Sequence, residues 1–469
     1  MRKRINHQLP PLELWGLSAN QFNELMIGGC STVDLVRCYG SPLHVVNETR
    51  LKKTAQQFRK TFETIYPGTT SVHYAFKCNP ISAIVQIIQD AGLKAEIMSD
   101  FELELALKLG FKGKDIIVNG PCKTRPFLEN CIQTEVKFIV VDSIDELILL
   151  EFCCKVMKRS VNVLLRINPD YIPTSMSRSS ATGSRNGSVF GFDLKGGEVS
   201  SALYLLKENQ NVKFQGYHFH IGTGITQPKD YKRAVTQLSK LFKSTQETGF
   251  TIHYFDIGGG FASPTSRGMT TREMLFYEAF GKLPKPITRK KSASFSDFAQ
   301  EISNILIKEF PSHRLPQLIL EPGRSITSSN QLLLLTTHYI KERAGVGKWL
   351  ITDGGIGTVC LPTYYEYHEI LLCNDVSRPL TEKVTITGPG CFAGDIVYRN
   401  KLMPAIHMGE VIAIMDSGAY FSQLESSFSY PHPAIVSVKK GQHCLVRRRE
   451  TFDEMICRDQ PCYEKLEVY

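Results

Sequence analysis

Long apolar runs and a disulfide framework are both missing from this chain of 469 residues. The most apolar stretches, such as 138–141 and 332–335, are far too short to span a bilayer. The stretch 8–16 contains Pro10 and Pro11 and lacks the apolar core of a signal peptide. The 13 cysteines follow no framework spacing, and we interpret most of them as reduced thiols. These absences predict a cytoplasmic protein without a membrane partner.

The chain carries an excess of basic residues, with a formal net charge of +9. Basic clusters stand at 289–291 and 447–449. Such clusters are ordinarily solvated surface, but they could also attract an acidic substrate or an acidic carrier protein. Because no nucleic-acid-binding motif accompanies them, the sequence predicts no nucleic-acid partner.

Short apolar, β-branched runs alternate with longer amphipathic stretches from about residue 44 onward. Strand–helix repetition of this kind predicts parallel strands covered by helices, and its length favours a closed (β/α)₈ barrel over an open sheet. The predicted strands are 43–46, 72–75, 95–98, 116–118, 138–141, 163–167, 215–220, 254–257 and 318–320.

The pattern changes after residue 325, where strand-like runs follow one another closely. They predict a mostly antiparallel β-sheet domain. We therefore predict an α/β chain with a barrel over 44–325 and a sheet domain formed by 1–43 and 326–469. Residues 263–295, which contain prolines and a basic run, predict a long surface excursion. It could either cover the active site as a lid or be a passive insertion.

Barrel enzymes place their chemistry at the C-terminal ends of the strands. Lys77 follows the predicted strand 72–75 inside an apolar segment. Burial should lower the pKa of such an amine and make it a nucleophile toward aldehydes. Taken alone, a surface lysine that caps a strand would be the commoner explanation.

Three other strand ends carry residues suited to a phosphate and an aromatic ring. The glycines 258–260 would let backbone N–H groups approach a phosphate, although such a triplet often marks only a turn. Glu321 and Arg324 could serve a pyridine nitrogen and a phosphate, or could form a structural salt bridge. His220 also ends a strand, where an isolated histidine is more often a satisfied core residue than a catalyst.

Ten segments between about residues 40 and 440 together match one family pattern. They are 74–80, Ser99 with Glu102, 119–121 with Lys123, 141–147, 166–169, 218–222, 256–261, 321–324, 388–391 with Gly394 and Asp395, and 418–420. These segments resemble the fold type III, alanine-racemase-like decarboxylases that depend on pyridoxal 5'-phosphate (PLP). That family includes ornithine, arginine and diaminopimelate decarboxylases, and the pattern is nearest to the diaminopimelate branch.

The resemblance implies PLP as the cofactor and gives each matching residue a role. Lys77 would form the Schiff base with PLP, Glu321 would keep the pyridine nitrogen protonated, and His220 would stack on the ring. The phosphate would be held by Thr223, where family members usually have serine, and by Gly258, Gly259, Gly260, Arg324 and Tyr420.

Cys391 matches the family's catalytic cysteine. The resemblance implies that it protonates the substrate's Cα and reaches the active site from the partner subunit, so a homodimer with shared active sites is expected. The alternative is a plain buried thiol. No metal site is predicted.

The positions that would bind the distal end of the substrate depart from the family. Ornithine and diaminopimelate decarboxylases have an acid after the catalytic cysteine, and here the residue is Phe392. Diaminopimelate decarboxylases bind the distal carboxylate with an Arg-Pro-x-x-Tyr stretch, in which Leu361 here replaces the arginine and Tyr365 is retained. Asp353 keeps the place of a substrate-facing acid of ornithine-type enzymes, or caps a turn.

Because a charged distal group without its partner would lose several kcal/mol, free diaminopimelate is not the expected substrate. We expect a less polar or larger distal group, such as that of a conjugated or carrier-linked amino acid.

Three alternatives stay open: a decarboxylase of diaminopimelate or another basic amino acid, a racemase, and a non-catalytic homologue that acts as a binding regulator. Racemases of this fold use a tyrosine as acid/base and place an arginine near the pyridine nitrogen. The Cys391 and Glu321 motifs of this chain favour decarboxylation instead. A regulator should have lost Lys77, Glu321 or the glycine loop, and all are present.

Overall fold

The computed structural model describes residues 10–174, 176 and 181–459, and the side chains of Ser312 and of residues 361–365 lie outside that description. The chain begins with a small antiparallel sheet and continues into one helix and one longer strand. These elements are β1 (Leu17–Ala19), β2 (Leu25–Ile27), β3 (Cys30–Ser31), α1 (Thr32–Tyr39) and β4 (Leu43–Asn47).

A closed barrel forms the centre of the molecule. In chain order, the strands between residues 70 and 320 are β5 (Thr70–Ala75), β6 (Lys94–Ile97), β7 (Ile116–Val118), β8 (Phe138–Val141), β9 (Val161–Asn168), β10 (Phe192–Asp193), β11 (Val212–His218), β12 (Tyr254–Asp256), β13 (Arg267–Gly268) and β14 (Gln317–Leu320). Eight of these strands pair in parallel and close the barrel, in the order β5-β6-β7-β8-β9-β11-β12-β14 and back to β5. The short β10 pairs in parallel with β9 outside this closed order. The predicted (β/α)₈ barrel is confirmed.

Amphipathic helices cover the outside of the barrel. Helix α2 (Glu48–Ile65) begins where it does because the Asn47 side chain accepts a hydrogen bond from the Arg50 N–H at 3.1 Å. Its buried residues include Leu51 and Phe58, spaced so that one face packs on the barrel.

The other helices up to residue 327 are α3 (Ser82–Asp90), α4 (Asp100–Lys108), α5 (Arg125–Thr134), α6 (Ile144–Met157), α7 (Glu198–Glu208), α8 (Lys229–Gln237), α9 (Ser239–Glu247), α10 (Thr271–Phe280), α11 (Phe295–Glu309) and α12 (Arg324–Thr327). Among the helices in the described ranges, none combines the length and the hydropathy needed to cross a membrane.

The rest of the chain builds a second sheet with its own buried core. Its elements are β15 (Gln331–Arg343), β16 (Gly347–Thr352), α13 (Ile356–Tyr365), β17 (Glu366–Tyr367), β18 (Ile370–Leu372), β19 (Glu382–Thr387), β20 (Ile396–Met403), β21 (Val411–Ile414), α14 (Phe421–Leu424), β22 (Ala434–Lys439), β23 (Gln442–Arg447) and α15 (Phe452–Ile456). The strand order is β20-β19-β16-β15-β4-β22-β23, and β21 joins β18 to β15. The pairings are antiparallel except β16–β19 and β4–β22. The predicted, mostly antiparallel sheet domain is confirmed.

Strand β4 corrects one detail of the sequence analysis. The run 43–46 was counted at the start of the strand–helix pattern, but β4 lies in the second sheet between β15 and β22. Every residue of β4 is buried. A strand buried on both faces reads the same in a barrel and in a covered sheet, so the sequence could not assign it.

The excursion 263–295 packs against the second domain. Strand β13 pairs antiparallel with β17. The Arg399 N–H donates to the Tyr277 hydroxyl at 3.0 Å, and the Ile287 N–H donates to Glu369 at 2.8 Å. Tyr277 and Ile287 are part of the core of the second domain. The excursion therefore bridges the two domains.

Candidate active site

A cavity of about 230 Å³ opens at the C-terminal ends of the barrel strands. Two larger clefts, of about 880 and 850 Å³, lie elsewhere and do not gather the polar strand ends. The cavity is lined by Ala75, Lys77, Met98, Asn119, Gly120, Pro121, Arg166, Thr182, Phe190, His218, His220, Thr223, Gly259, Gly260, Glu321, Gly323, Arg324 and Tyr420. Residues 263–295, which the structure describes throughout, contribute nothing to this lining, so they do not form a lid over it here.

Lys77 lies on a 3₁₀ turn, Phe76–Cys78, directly after β5. Its Nζ lies 2.8 and 2.7 Å from the two carboxylate oxygens of Glu96 on β6. Burial acts to lower the pKa of the amine, but the charges of Glu96 and Glu321 outweigh it and raise that pKa above its ordinary value. The predicted fall in the pKa of Lys77 is therefore wrong, because the prediction counted burial without the neighbouring carboxylate.

Glu96 is suited to exchange a proton with this amine. It is fully buried, and burial raises the pKa of its carboxyl group above the ordinary value. An amine must be neutral to attack an aldehyde, and a carboxylate with a raised pKa is a better acceptor for the proton it loses. The Lys77–Glu96 pair thus supplies both a nucleophile and its base.

Glu321, directly after β14, is held at both carboxylate oxygens. Asn119 Nδ2 donates to Oε1 at 2.7 Å, and His218 Nε2 lies 3.3 Å from Oε2. Burial acts to raise the pKa of Glu321, but His218 and Lys77 keep it below its ordinary value. Burial and the charge of Glu321 raise the pKa of the adjacent Asp256 well above its ordinary value. Within this pair of carboxyl groups at the floor of the cavity, the negative charge therefore favours Glu321 over Asp256.

A protonated ring nitrogen fits this floor. One ligand atom from each of His218, Asp256 and Glu321 lies within 4.8 Å of the others. His218 Nδ1 and Asp256 Oδ2 are buried without a hydrogen-bond partner in the described part of the chain. An ionised Glu321 in such a setting is stabilised by a cationic N–H group, which a pyridinium ring carries.

The wall of the cavity consists of His220 and the glycine turn. The Gly259 N–H donates to His220 Nδ1 at 3.2 Å, and burial lowers the pKa of this imidazole to about 3. The ring is therefore neutral. Gly258 and Gly260 have φ angles of 65° and 96°, and a Cβ on Gly259 would lie 2.2 Å from the Glu321 carbonyl oxygen. Only glycine fits all three positions.

Arg324 forms a cationic end with hydroxyl groups around it. Its Nε donates to Thr223 Oγ1 at 3.2 Å, its Nη1 donates to Glu366 at 2.6 Å, and its guanidinium lies 5.0 Å from the centre of the Tyr420 ring. Tyr420 comes from the second domain, and its N–H donates to the Cys78 carbonyl at 2.9 Å. Guanidinium and hydroxyl donors together suit a phosphate group.

Cys391 and Phe392 lie on the loop between β19 and β20, and both are exposed. Asp395 fixes this loop by accepting hydrogen bonds from the Gly390 N–H at 2.7 Å and the Ile356 N–H at 2.6 Å. Neither Cys391 nor Phe392 lines the cavity around Lys77 of the same chain within the described residues. The structure therefore does not bring Cys391 to the cavity of its own chain.

The other predicted substrate residues also lie away from the cavity or outside the description. Asp353 accepts hydrogen bonds from Ser41 Oγ and, at 2.9 Å, from the Thr336 N–H, so its carboxylate ties β15 to the turn after β16. The carboxylate therefore joins segments of the second domain through Ser41 and Thr336, and its contact with substrate stays a prediction. The side chains of Leu361 and Tyr365 lie outside the described part of the chain, and their contacts with substrate stay predictions.

Sequence reasoning assigned no role to Glu96, Asn119, His218 or Asp256. Asn119, His218 and Asp256 lie in segments that match the family pattern, whereas Glu96 lies outside all of those segments. It is, however, the only charged residue in the predicted strand 95–98. A single carboxylate inside a buried strand is as unusual as a buried lysine, and this signal could have identified it.

The ends of the barrel strands carry a lysine beside a buried carboxylate, a glycine turn and a cationic pocket. This combination defines the class of enzymes that hold an aldehyde cofactor on a lysine. The sequence model described as "Pyridoxal-dependent decarboxylase, pyridoxal binding domain" matches residues 48–328. The chain therefore belongs to the pyridoxal-dependent decarboxylase family, and its cofactor is PLP.

Relatives agree with this assignment over nearly the whole chain. The diaminopimelate decarboxylase of Methanocaldococcus jannaschii is 30% identical over 438 residues, which cover 92% of this chain and 94% of the relative. That of Bacillus subtilis is 28% identical over 453 residues, covering 94% and 96%. The crystal structure of the M. jannaschii enzyme in co-complex with L-lysine matches with a TM-score of 0.83 at 28% identity, over 95% of this chain and 98% of that one.

Proposed function

We propose that this enzyme decarboxylates an amino acid whose distal end is less polar or larger than that of free diaminopimelate. The observation that carries the proposal is Phe392, which stands where ornithine and diaminopimelate decarboxylases have an acid. Its ring is 52% exposed and packs against Phe428 with 6.0 Å between ring centres, so the loop presents an apolar surface. Leu361 in place of the distal-carboxylate arginine supports the same conclusion.

Each residue of the cavity has a separate role in the proposed decarboxylation. PLP supplies an electron sink for the electron pair that remains when the substrate carboxylate leaves as CO₂. Lys77 would hold the cofactor, and Glu96 would accept and return the proton of the lysine amine. Glu321 would keep the ring nitrogen protonated, and His220 would support the ring. Thr223, Gly258, Gly259, Gly260, Arg324 and Tyr420 would bind the phosphate.

Cys391 completes the site from the partner subunit in this proposal. The loop that carries it is exposed and is fixed by Asp395, so it can project its thiol away from its own chain. A homodimer with two shared sites then requires Lys77 of one subunit and Cys391 of the other. The thiol donates the proton that the substrate's Cα gains.

Mixing two inactive variants tests this arrangement. Lys77→Ala and Cys391→Ala should each lack most activity as homodimers. Random exchange of subunits makes half of the dimers mixed, each with one intact site, so activity should return to about a quarter of the wild-type value. A mixture of Lys77→Ala with Glu321→Gln is the control. Both residues belong to the cavity of one chain, so each site of a mixed dimer keeps one of the two substitutions and stays impaired.

The control mixture could form a site with intact Lys77 and intact Glu321 only if the two residues came from different subunits. Both residues line the cavity of one chain, so we expect no such site. No return of activity with Cys391→Ala after verified subunit exchange would show that Cys391 does not act across a dimer interface. Return of activity in the control would show that Lys77 and Glu321 belong to different subunits.

Decarboxylation of free diaminopimelate is the second candidate function. The relatives named above are diaminopimelate decarboxylases. In this alternative, groups other than Phe392 and Leu361 bind the distal end. A carrier-linked or otherwise conjugated substrate remains part of the main proposal, in which the net charge of +9 suits an acidic carrier.

Exchanging Phe392 for an acid separates the two functions. Phe392→Glu should raise kcat/KM for free diaminopimelate or ornithine by about 10-fold or more, because a distal amine gains a charged partner. Phe428→Glu is the matched control, since it adds the same charge to the same aromatic pair but at a different position from the residue after Cys391. Efficient turnover of free diaminopimelate by the wild type, reduced by Phe392→Glu, would favour the second candidate.

A further inference from the structure

Arg166 is a third cation on the lining of the active-site cavity, besides Lys77 and Arg324. It lies near the end of β9 and is only 7% exposed. Neither the Schiff base at Lys77 nor the phosphate contacts at Arg324 require it. Since a guanidinium keeps its charge even when it is buried, the protein or a ligand must supply groups that compensate it.

The protein compensates Arg166 only in part. In the described part of the chain, its guanidinium makes one ion pair, with 3.3 Å between Nη1 and Asp142 Oδ1, and no hydrogen bond. Asp142 Oδ1 is itself buried without a hydrogen-bond partner among the described residues, so this contact lacks hydrogen-bond geometry. Arg324, by contrast, donates to Thr223 and Glu366. Arg166 therefore has N–H groups left for a ligand in the cavity.

The residues around Arg166 hold its side chain in place. Phe190 packs on it, with 4.2 Å between the guanidinium carbon and the centre of the ring. The Gly191 N–H donates to Asp142 Oδ2 at 3.2 Å, and a Cβ on Gly191 would lie 2.8 Å from the Arg166 carbonyl oxygen. Strand β10, which begins at the next residue, pairs with β9. An arginine held between a carboxylate and an aromatic face loses little freedom when it binds a ligand.

Arg166 lies among the groups that would surround the ring of the cofactor. In the pairing of β9 with β11, it stands opposite His218, whose Nε2 lies 3.3 Å from Glu321. Burial, and after it the charge of Arg166, lowers the pKa of His220 to about 3. Arg166 is therefore placed to act on the ring of the cofactor.

The charges of PLP and of the substrate limit what Arg166 could bind. The phosphate has its own cation in Arg324, and the ring nitrogen is protonated in the proposed site. The substrate carboxylate leaves as neutral CO₂, so a guanidinium bound to it would stabilise the reactant more than the transition state. The remaining anion is the phenolate oxygen of the PLP ring, which stays on the cofactor throughout the reaction.

We propose that Arg166 binds the phenolate oxygen of PLP. Hydrogen bonds from a guanidinium to an oxyanion are charge-assisted and therefore strong. The proposal rests on the proposed function, in which Lys77 holds the cofactor. Glu321 at the ring nitrogen, Arg324 at the phosphate and Arg166 at the phenolate then give each charged group of PLP a partner of opposite charge.

A cofactor analogue without the ring hydroxyl tests this contact. The probe is 3-deoxypyridoxal 5'-phosphate, which keeps the aldehyde, the ring nitrogen and the phosphate. Full-length apoenzyme is titrated with PLP and with the probe, and the ratio of the two dissociation constants is compared between variants. Arg166→Gln should lower the preference for PLP by about 10-fold or more, because a charge-assisted hydrogen bond is lost. Arg166→Lys keeps the charge and should retain part of the preference.

Arg159→Gln is the matched control. Arg159 lies two residues before β9, pairs with Glu135 at 2.6 Å and is not among the described residues that line the cavity. Its substitution should leave the ratio of dissociation constants unchanged.

Three results would contradict the proposal, and each has a different meaning. Equal weakening of PLP and the probe in Arg166→Gln would show that Arg166 only supports the fold. An unchanged ratio with a raised KM for the substrate would assign Arg166 to the substrate carboxylate. If neither PLP nor the probe formed a Schiff base in the wild type, the assignment of the site to Lys77 would fail, and this proposal with it.

Discussion

Replacing Lys77 with alanine should lower kcat by on the order of 10³-fold or more and should remove the visible absorbance of lysine-bound PLP. Lys77 is the lysine that lines the cavity, and its Nζ lies 2.7 Å from the Glu96 carboxylate. No other described lysine lines this cavity, so none can replace it as the covalent anchor. Activity and absorbance should therefore be lost together.

Lys94→Ala is the matched control for Lys77→Ala. Lys94 lies at the start of β6, two residues from Glu96 on the same strand, and pairs with Asp115 at 3.0 Å outside the cavity. This variant should keep the absorbance and the activity. If Lys77→Ala retained the absorbance of a bound Schiff base, another lysine would carry the cofactor and the assignment of the site would fail.

Glu321→Gln should lower kcat by about 10²- to 10³-fold while PLP stays bound. The amide has nearly the shape of the carboxylate and can still accept from Asn119 Nδ2, which lies 2.7 Å from Oε1 in the native site. It carries no charge, however, and cannot keep a ring nitrogen protonated. The electron sink weakens, whereas the phosphate contacts at Arg324 and the covalent link at Lys77 remain.

Glu425→Gln serves as a comparison for Glu321→Gln. Glu425 is another buried carboxylate, paired with His44 at 2.7 Å and Arg447 at 2.7 Å, and it does not line the cavity. Its substitution should affect stability more than kcat. A Glu321→Gln enzyme with nearly wild-type kcat and full cofactor content would contradict the role of Glu321 at the ring nitrogen.

The barrel could be predicted from the sequence because most of its strands are short apolar runs that an amphipathic helix follows. The strand ends then identified Lys77, Glu321, Arg324 and the glycine turn, since chemistry in barrels lies where parallel strands end. Within the structure, Lys77, Glu321, Arg324 and, from the glycine turn, Gly259 and Gly260 line one cavity. These residues could be predicted because each one lies shortly after a strand in the sequence.

Contacts that depend on register could not be predicted. In the β5–β6 pairing, Ala75 stands opposite Glu96, which brings that carboxylate beside the turn that carries Lys77. A single sequence gives no register between strands, so the pair was missed and the direction of the Lys77 pKa was wrong. The buried strand β4 was misplaced for a related reason, because its pairing partners are more than 280 residues away along the chain.

Cys391 and Phe392 show a second limit. The loop between β19 and β20 is fixed by Asp395 against the start of α13, which the sequence did not reveal. Neither Cys391 nor Phe392 lines the cavity of its own chain, and in the proposed dimer both would act at the partner's cavity. The mixing experiment and the Phe392→Glu variant address these residues directly.

Release of CO₂ by the purified holoenzyme tests the central claim most directly. The amino acids to compare are lysine, ornithine, arginine and diaminopimelate in both configurations, together with citrate- and carrier-linked amino acids. The account predicts PLP-dependent CO₂ release that is faster from a conjugated or less polar substrate than from free diaminopimelate, and its absence in Lys77→Ala. Inversion of an amino acid without CO₂ would indicate a racemase, and failure to bind PLP would indicate a non-catalytic homologue; either result would contradict the account.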